Sequence, residues 1–96
     1  MFTRQELKSN NIDRRHFIIV NQTVYYLELK SMSTGHSWLI YSKQLDTKHR
    51  SLVINHMHHD GDAYHEQIHM HPRSIKQAQA MIINHDRWHL NGRKHK

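Results

Sequence analysis

Residues 16–71 carry the pattern of hydrophobic and polar positions that is typical of β-strands. Residues 17–21 are rich in β-branched and aromatic side chains, and apolar side chains recur at every second position in residues 24–29 and, in part, in residues 37–45. Alternate side chains of a strand point to opposite faces of its sheet. Each of these segments therefore predicts a strand, and the alternation predicts which side chains share a face.

A hairpin signal follows these strands. Residues 51–58 and 63–71 flank Asp60-Gly61, a dipeptide that favours a two-residue type I′ turn between antiparallel strands. Consecutive strands with short links usually pair with one another. The pattern therefore predicts an antiparallel meander of four or five strands.

The chain changes to helical spacing after Pro72, which ends the predicted sheet. Ser74 is a suitable N-cap, and Asn91-Gly92 favours a helix end. The positions that recur with helical spacing are Ile75, Ala78, Ile82, His85 and His89. We predict one long helix over residues 74–90, packed on one face of the sheet, and an α+β fold class.

The chain length of 96 residues predicts a single small domain over residues 1–96. Residues 1–13 are expected to form a short helix or a flexible arm, and residues 92–96 a flexible basic tail. The chain has no cysteine, which excludes disulfides and thiolate metal ligands. No apolar run is long enough to span a membrane, and the N-terminus lacks the apolar segment of a secretory signal, so we expect a cytoplasmic protein without a membrane partner.

Charge points to an acidic partner. Fourteen Lys and Arg residues outnumber eight Asp and Glu residues, for a formal net charge of +6, and such a balance favours binding to nucleic acid. The candidate phosphate contacts are the basic residues near the two ends: Arg14, Arg15, Arg87, Arg93, Lys94 and Lys96. The leading hypothesis is a small non-enzymatic module that binds nucleic acid through phosphate contacts, without strong sequence readout.

A protein partner is the main alternative. The compact, basic and cysteine-free build is typical of small proteins of phages and other mobile elements, which suggests an interaction or regulatory protein. The sequence contains no helix-turn-helix pattern, no RNA-binding octapeptide and no glycine-rich phosphate loop. It therefore provides no motif that separates a nucleic-acid partner from a protein partner.

Histidines are concentrated in the predicted hairpin. Six of the twelve lie between Asn55 and His71, namely His56, His58, His59, His65, His69 and His71. A type I′ turn at Asp60-Gly61 would place His56 directly opposite His65. Clustered imidazoles can bind metal, change charge with pH or transfer protons, so the hairpin holds the main candidate chemistry.

The two faces of this hairpin differ in polarity. The face that we expect to pack in the core carries Val53, Met57, Tyr64, Ile68 and Met70. The opposite face carries His56, His58, His65, His69 and His71, together with Leu52 and Ile54. Burying five imidazoles without partners is costly, so this second face is expected to be partly exposed, and a homodimer formed through it would cover Leu52 and Ile54.

Two chemical hypotheses follow from the hairpin. His56 and His65, opposed at a Cβ distance of about 5 Å, could share a zinc ion with His58 as a third ligand. Alternatively, His56, His65 and Glu66 could transfer protons in metal-independent RNA cleavage, with Arg73 stabilising the phosphate. Neither hypothesis rests on a sequence motif, and both rank below a binding module.

Overall fold

The computed structural model describes residues 2, 12–44, 50–58 and 61–91. Within these residues the chain forms five strands and one helix. The strands β1 to β5 are Phe17–Gln22, Tyr26–Ser31, Ser37–Gln44, Arg50–Met57 and His65–Glu66, and the helix α1 is Ile75–Leu90. The sheet is antiparallel throughout and its strands are ordered as in the chain, which confirms the predicted α+β meander.

Short turns connect the first three strands. In the β1–β2 turn, the hydroxyl of Thr23 accepts hydrogen bonds from the backbone N–H groups of Tyr25 and Tyr26, both at 3.1 Å. In the β2–β3 turn, Gly35 has a φ of +75°, a conformation that side chains with a Cβ rarely adopt. Both turns return the chain directly alongside the preceding strand.

The helix begins and ends close to the predicted residues. Ser74 is the N-cap, and its side chain accepts a hydrogen bond from the backbone N–H of Gln77 at 3.0 Å. Asn91 is the C-cap, and its backbone N–H is bonded to the carbonyl of Arg87 at 3.0 Å. Within the residues that the structure describes, no helix is both long and apolar enough to cross a membrane.

The core lies between α1 and one face of the sheet. The helix contributes Ile75, Ala78 and Ile82, which are almost completely buried. The strands contribute to this core cluster Phe17, Leu27, Leu29, Trp38, Ile40, Leu52 and Ile54. Burial of a large apolar side chain contributes about 1.5–3 kcal/mol, so this layer is the main source of stability among the described residues.

The structure corrects the predicted orientation of the β4–β5 hairpin. The face that carries Leu52, Ile54 and His56 belongs to the core layer. On the opposite face Val53 is 8% exposed and Ile68 is 63% exposed. The register explains this result, because Ile54 pairs with Ile40 and His56 with Trp38, which extends the apolar surface of the earlier strands. Leu52 and Ile54 are therefore covered within the chain, which removes the reason given for a dimer through the histidine face.

The last strand is shorter than predicted. It consists of His65 and Glu66 only, and a turn follows in which the backbone N–H of Met70 donates to the carbonyl of Gln67 at 3.0 Å. The chain rejoins the edge of β4 at Pro72, whose carbonyl accepts from the Leu52 N–H at 3.3 Å. The two histidines of this loop, His69 and His71, are exposed and do not continue the sheet face.

Some predictions fall on residues outside the described ranges. They include most of the N-terminal segment 1–13, the first residue of the Asp60-Gly61 turn, and the tail 92–96. Phe2 is described and buried, and its backbone N–H donates to the carbonyl of Val24. Gly61 has a φ of +91°, which is compatible with a tight turn.

Candidate metal centre

Five histidine side chains meet near the C-terminal end of α1. They come from the β2–β3 turn, from the end of β4 and from the last turns of the helix, and they are His36, His56, His58, His85 and His89. We call this group the histidine cluster. The sheet register and the helix packing bring together residues that lie up to 53 positions apart in the chain.

Three members of the histidine cluster are close enough to share an ion. One ring nitrogen from each of His36, His56 and His58 can be chosen so that all three lie within 4.8 Å of one another. The closest pair, Nε2 of His56 and Nδ1 of His36, is 2.9 Å apart, and one of these nitrogens donates a hydrogen bond to the other. For the other two pairs, the ring centroids are 4.3 Å apart in His56–His58 and 4.8 Å apart in His36–His58.

Zinc coordination requires only a modest adjustment of these three rings. Zinc binds histidine nitrogens at about 2.0–2.1 Å in tetrahedral geometry, so two ligating nitrogens lie about 3.4 Å apart. The nitrogens of His36 and His56 would separate by about half an ångström, exchanging one hydrogen bond for two metal bonds. The side chains therefore provide three convergent ligands of the type that zinc and copper prefer.

Trp38 fixes the orientation of His56. The two rings stack with centroids 3.8 Å apart and planes only 2° from parallel. The indole N–H in turn donates to the hydroxyl of Ser31 at 3.0 Å. Residues that do not touch the metal but hold a ligand in place raise metal affinity. The contacts that link Ser31, Trp38 and His56 therefore favour a defined site over a loose group of imidazoles.

The turn that carries His36 is also held in place. The backbone N–H of His36 donates to the hydroxyl of Thr34 at 3.2 Å, and its carbonyl accepts from the Ser31 N–H at 2.9 Å. The Thr34 hydroxyl reaches the carboxylate of Asp86 on α1 at 3.4 Å. His36 is therefore presented by a turn that is bonded both to its own strand and to the helix.

Asp86 is a fully buried carboxylate next to the histidine cluster. Its other oxygen accepts a hydrogen bond from Nε2 of His16 at 2.8 Å, so the carboxylate links the helix to the start of β1. Its charge acts to raise the pKa of His36 against the larger effect of burial. The same negative charge would favour a cation bound at His36.

Burial keeps two of the three ligands neutral. It lowers the pKa of His56 to about 3, and repulsion from charged forms of His58 and His85 acts in the same direction. Burial and repulsion from His58 also lower the pKa of His36. A histidine must be deprotonated to bind metal, so His36 and His56 are in the binding form at neutral pH.

The helix end also favours a positive charge. His85 and His89 belong to the last turns of α1, and its carbonyl groups give this end a partial negative charge. Asp86 adds a negative charge, and it is the one carboxylate among the described residues that is buried. The electrostatic environment of the histidine cluster therefore suits a divalent cation, with nitrogen as the ligand atom.

The structure places the three metal candidates of the sequence analysis differently. His56 and His58 belong to the histidine cluster, and His65 pairs with His56 in the sheet as predicted. His65 is nevertheless exposed, and His36 takes the third position. Sequence reasoning missed His36 because it precedes β3, and only the Trp38–His56 register brings it beside β4.

The four residues of the RNA-cleavage hypothesis are not assembled at one place. His56 is buried, and Glu66 pairs with Asn55, so it lies on the opposite face of the sheet from His56. Arg73 follows the residue bonded to Leu52, four positions or about 13 Å along β4 from His56. His65 is exposed, and its neighbour His56 stays neutral at physiological pH because burial holds its pKa near 3.

Three of the candidate phosphate contacts are described and exposed, namely Arg14, Arg15 and Arg87. The hydrogen bond between His16 and Asp86 joins the two segments that carry them. These arginines therefore lie at the same end of the molecule as the histidine cluster. Arg93, Lys94 and Lys96 lie outside the described residues.

Comparison with protein-family models, with curated proteins and with solved structures finds no match. The geometry of the histidine cluster and the distribution of charge are thus the features that bear on function.

Proposed function

We propose that this chain is a transition-metal-binding protein that holds one metal ion, such as zinc, between His36, His56 and His58. The observation that carries the proposal is the convergence of three imidazole nitrogens within 4.8 Å around a stacked and hydrogen-bonded ring. Three other described histidines do not share this arrangement: His65, His69 and His71 are exposed. The proposal concerns binding, and it assigns no catalytic step.

The ligand type restricts the choice of metal. Imidazole suits zinc, copper, nickel and iron, whereas calcium and magnesium prefer oxygen. The sequence has no cysteine, and none of the carboxylates is part of the described ligand group. Zinc is the appropriate probe because three nitrogen ligands in a compact group fit its tetrahedral preference.

Nuclear magnetic resonance of the imidazole nitrogens tests this proposal residue by residue. Tag-free protein is titrated with zinc at neutral pH, and the ¹⁵N signals of the ring nitrogens are followed. We expect the signals of His36, His56 and His58 to shift and to stop changing after one equivalent. Equal shifts of His69 and His71 over the same range would show scattered surface binding and would overturn the proposal.

Nucleic-acid binding is a second candidate, and the exposed arginines at one end of the molecule favour it. Exposed guanidinium groups bind phosphate oxygens bidentately, and the formal charge of +6 would attract a polyanion. The contacts are proposed to come from Arg14, Arg15 and Arg87, which belong to the two segments that the His16–Asp86 hydrogen bond joins. A protein with an acidic surface is the competing partner for the same residues.

Fluorescence anisotropy with labelled single- and double-stranded DNA and RNA tests this candidate. The double variant R15A/R87A should weaken binding and reduce the salt dependence, by a slope of about 0.9 for each lost phosphate contact on duplex DNA. The matched control R73A/K76A removes two exposed charges near the other end of α1. Equal losses in both variants, or no binding by wild type at low salt, would reject the assigned contacts.

A further inference from the structure

His89, on the last turn of α1, lies beside His36 and His58, two of the three proposed ligands. Its ring centroid is 4.6 Å from that of His36 and 6.4 Å from that of His58. The helix therefore places a fourth imidazole on the side of the group opposite the sheet.

The ring of His89 has an unsatisfied nitrogen. Its Nδ1 atom is shielded from solvent and has no hydrogen-bond partner among the described residues. Leaving a buried polar atom without a partner is unfavourable, and such atoms are uncommon in folded proteins. A bond to a metal ion would satisfy this nitrogen.

The distances are compatible with a four-histidine site. In a tetrahedral zinc site the imidazole centroids lie about 5 Å apart, given metal–nitrogen distances of about 2.0–2.1 Å. The centroid distances from His36 to the other three rings are 4.8, 4.8 and 4.6 Å. The His58–His89 distance is longer, at 6.4 Å, and the ring nitrogens that already lie within 4.8 Å of one another are those of His36, His56 and His58. His89 must therefore approach this group by side-chain rotation in order to complete the site.

His65 does not compete for the fourth position. It pairs with His56 across the strands but is exposed. His89 has instead the close ring contact with His36 and the buried nitrogen.

We infer that His89 is the fourth ligand of the proposed metal site, which makes the site closed and structural rather than open and catalytic. This inference rests on the proposed function. Structural zinc sites have four protein ligands, whereas catalytic sites keep a position for water or substrate. The bound ion would then join the end of α1 to the β2–β3 turn and to β4, and it would leave no position for an external ligand.

Cobalt substitution tests the inference, because the visible absorption of Co²⁺ depends on coordination number and on external ligands. Tag-free wild-type protein is loaded with one equivalent of Co²⁺ and titrated with azide. We expect the wild-type spectrum to stay unchanged, because no coordination position is open. The H89A spectrum should change on azide addition, and the Kd of H89A for Co²⁺ should rise at least about tenfold.

The wild-type azide titration requires no variant, so the inference stays testable if H89A fails to fold. The H71A variant, which removes an exposed histidine, is the control and should behave as wild type. A wild-type cobalt site that responds to azide would overturn the fourth ligand and leave the three-histidine site standing. No stoichiometric binding of Co²⁺ or zinc by wild type would overturn both the inference and the proposed function.

Discussion

His56 is a histidine inside the core layer, and its surroundings explain why the fold accepts it. One ring face packs on Trp38 and one nitrogen shares a hydrogen bond with His36. A buried polar group with a partner avoids most of the cost of burial. The neutral ring of His56 is therefore tolerated in the core. A protonated ring would be desolvated by burial and repelled by charged forms of His58 and His85.

Acidification is therefore expected to destabilise the protein. Burial lowers the pKa of His56 from about 6.5 when unfolded to about 3 when folded. Below pH 6.5 the unfolded state binds more protons, so stability is fully present above pH 6.5 and is lost progressively toward pH 3. We expect the free energy of unfolding of metal-free protein to fall by about 2 kcal/mol between pH 7.5 and pH 5, from the linkage of this one group.

Chemical denaturation at a series of pH values measures this effect. The variant H56F keeps an aromatic ring against Trp38 and removes the titrating group, so its stability should depend less on pH in this range. A wild-type stability that is constant from pH 7.5 to pH 5, or an H56F variant with the same slope as wild type, would contradict the assignment to His56.

Among the elements, α1 and the β2–β3 turn are connected through one buried side chain. The Asp86 carboxylate accepts from His16 at the start of β1 and from Thr34 in the turn. The same turn presents His36 to the histidine cluster. Asp86 therefore affects both the stability of the fold and the position of a proposed ligand.

The variant D86N should lower the free energy of unfolding by about 2 kcal/mol, because a charge-assisted hydrogen bond is lost and a buried polar group is left poorly satisfied. Chemical denaturation at neutral pH measures the change. The variant E66Q, at an exposed residue of β5, is the control and should change stability by less than about 0.5 kcal/mol. Equal stabilities of D86N and wild type would show that Asp86 does not connect these elements.

The sequence was sufficient to predict the first four strands and the helix, but neither the length of β5 nor which hairpin face is buried. Strand alternation, the Ser74 cap and the helical spacing predicted the meander and α1, because these signals are local. The hairpin considered alone pointed to the face of Val53 and Met57. The hairpin packs in the core with its other face instead, because that face continues the surface of Ile40 and Trp38 on the neighbouring strand. This is a non-local property.

Considered as a whole, the molecule gathers its distinctive chemistry at one end. The histidine cluster, the Asp86 carboxylate and the exposed Arg14, Arg15 and Arg87 all lie where the end of α1 meets the β2–β3 turn and the start of β1. His56 and His58 could be identified from sequence as candidates. His36 could not, because nothing in its local sequence indicates which strand it will approach.

Competition for zinc against a chromophoric chelator of known affinity tests the central claim most directly. Tag-free protein at neutral pH should bind one zinc ion per chain with a Kd of about 1 μM or tighter, equivalent to about 8 kcal/mol. H36A and H58A should each raise the Kd at least about tenfold, whereas H69A/H71A, which removes two exposed histidines, should leave it unchanged. Weak binding of several ions, reduced most by H69A/H71A, would contradict a metal site in the histidine cluster.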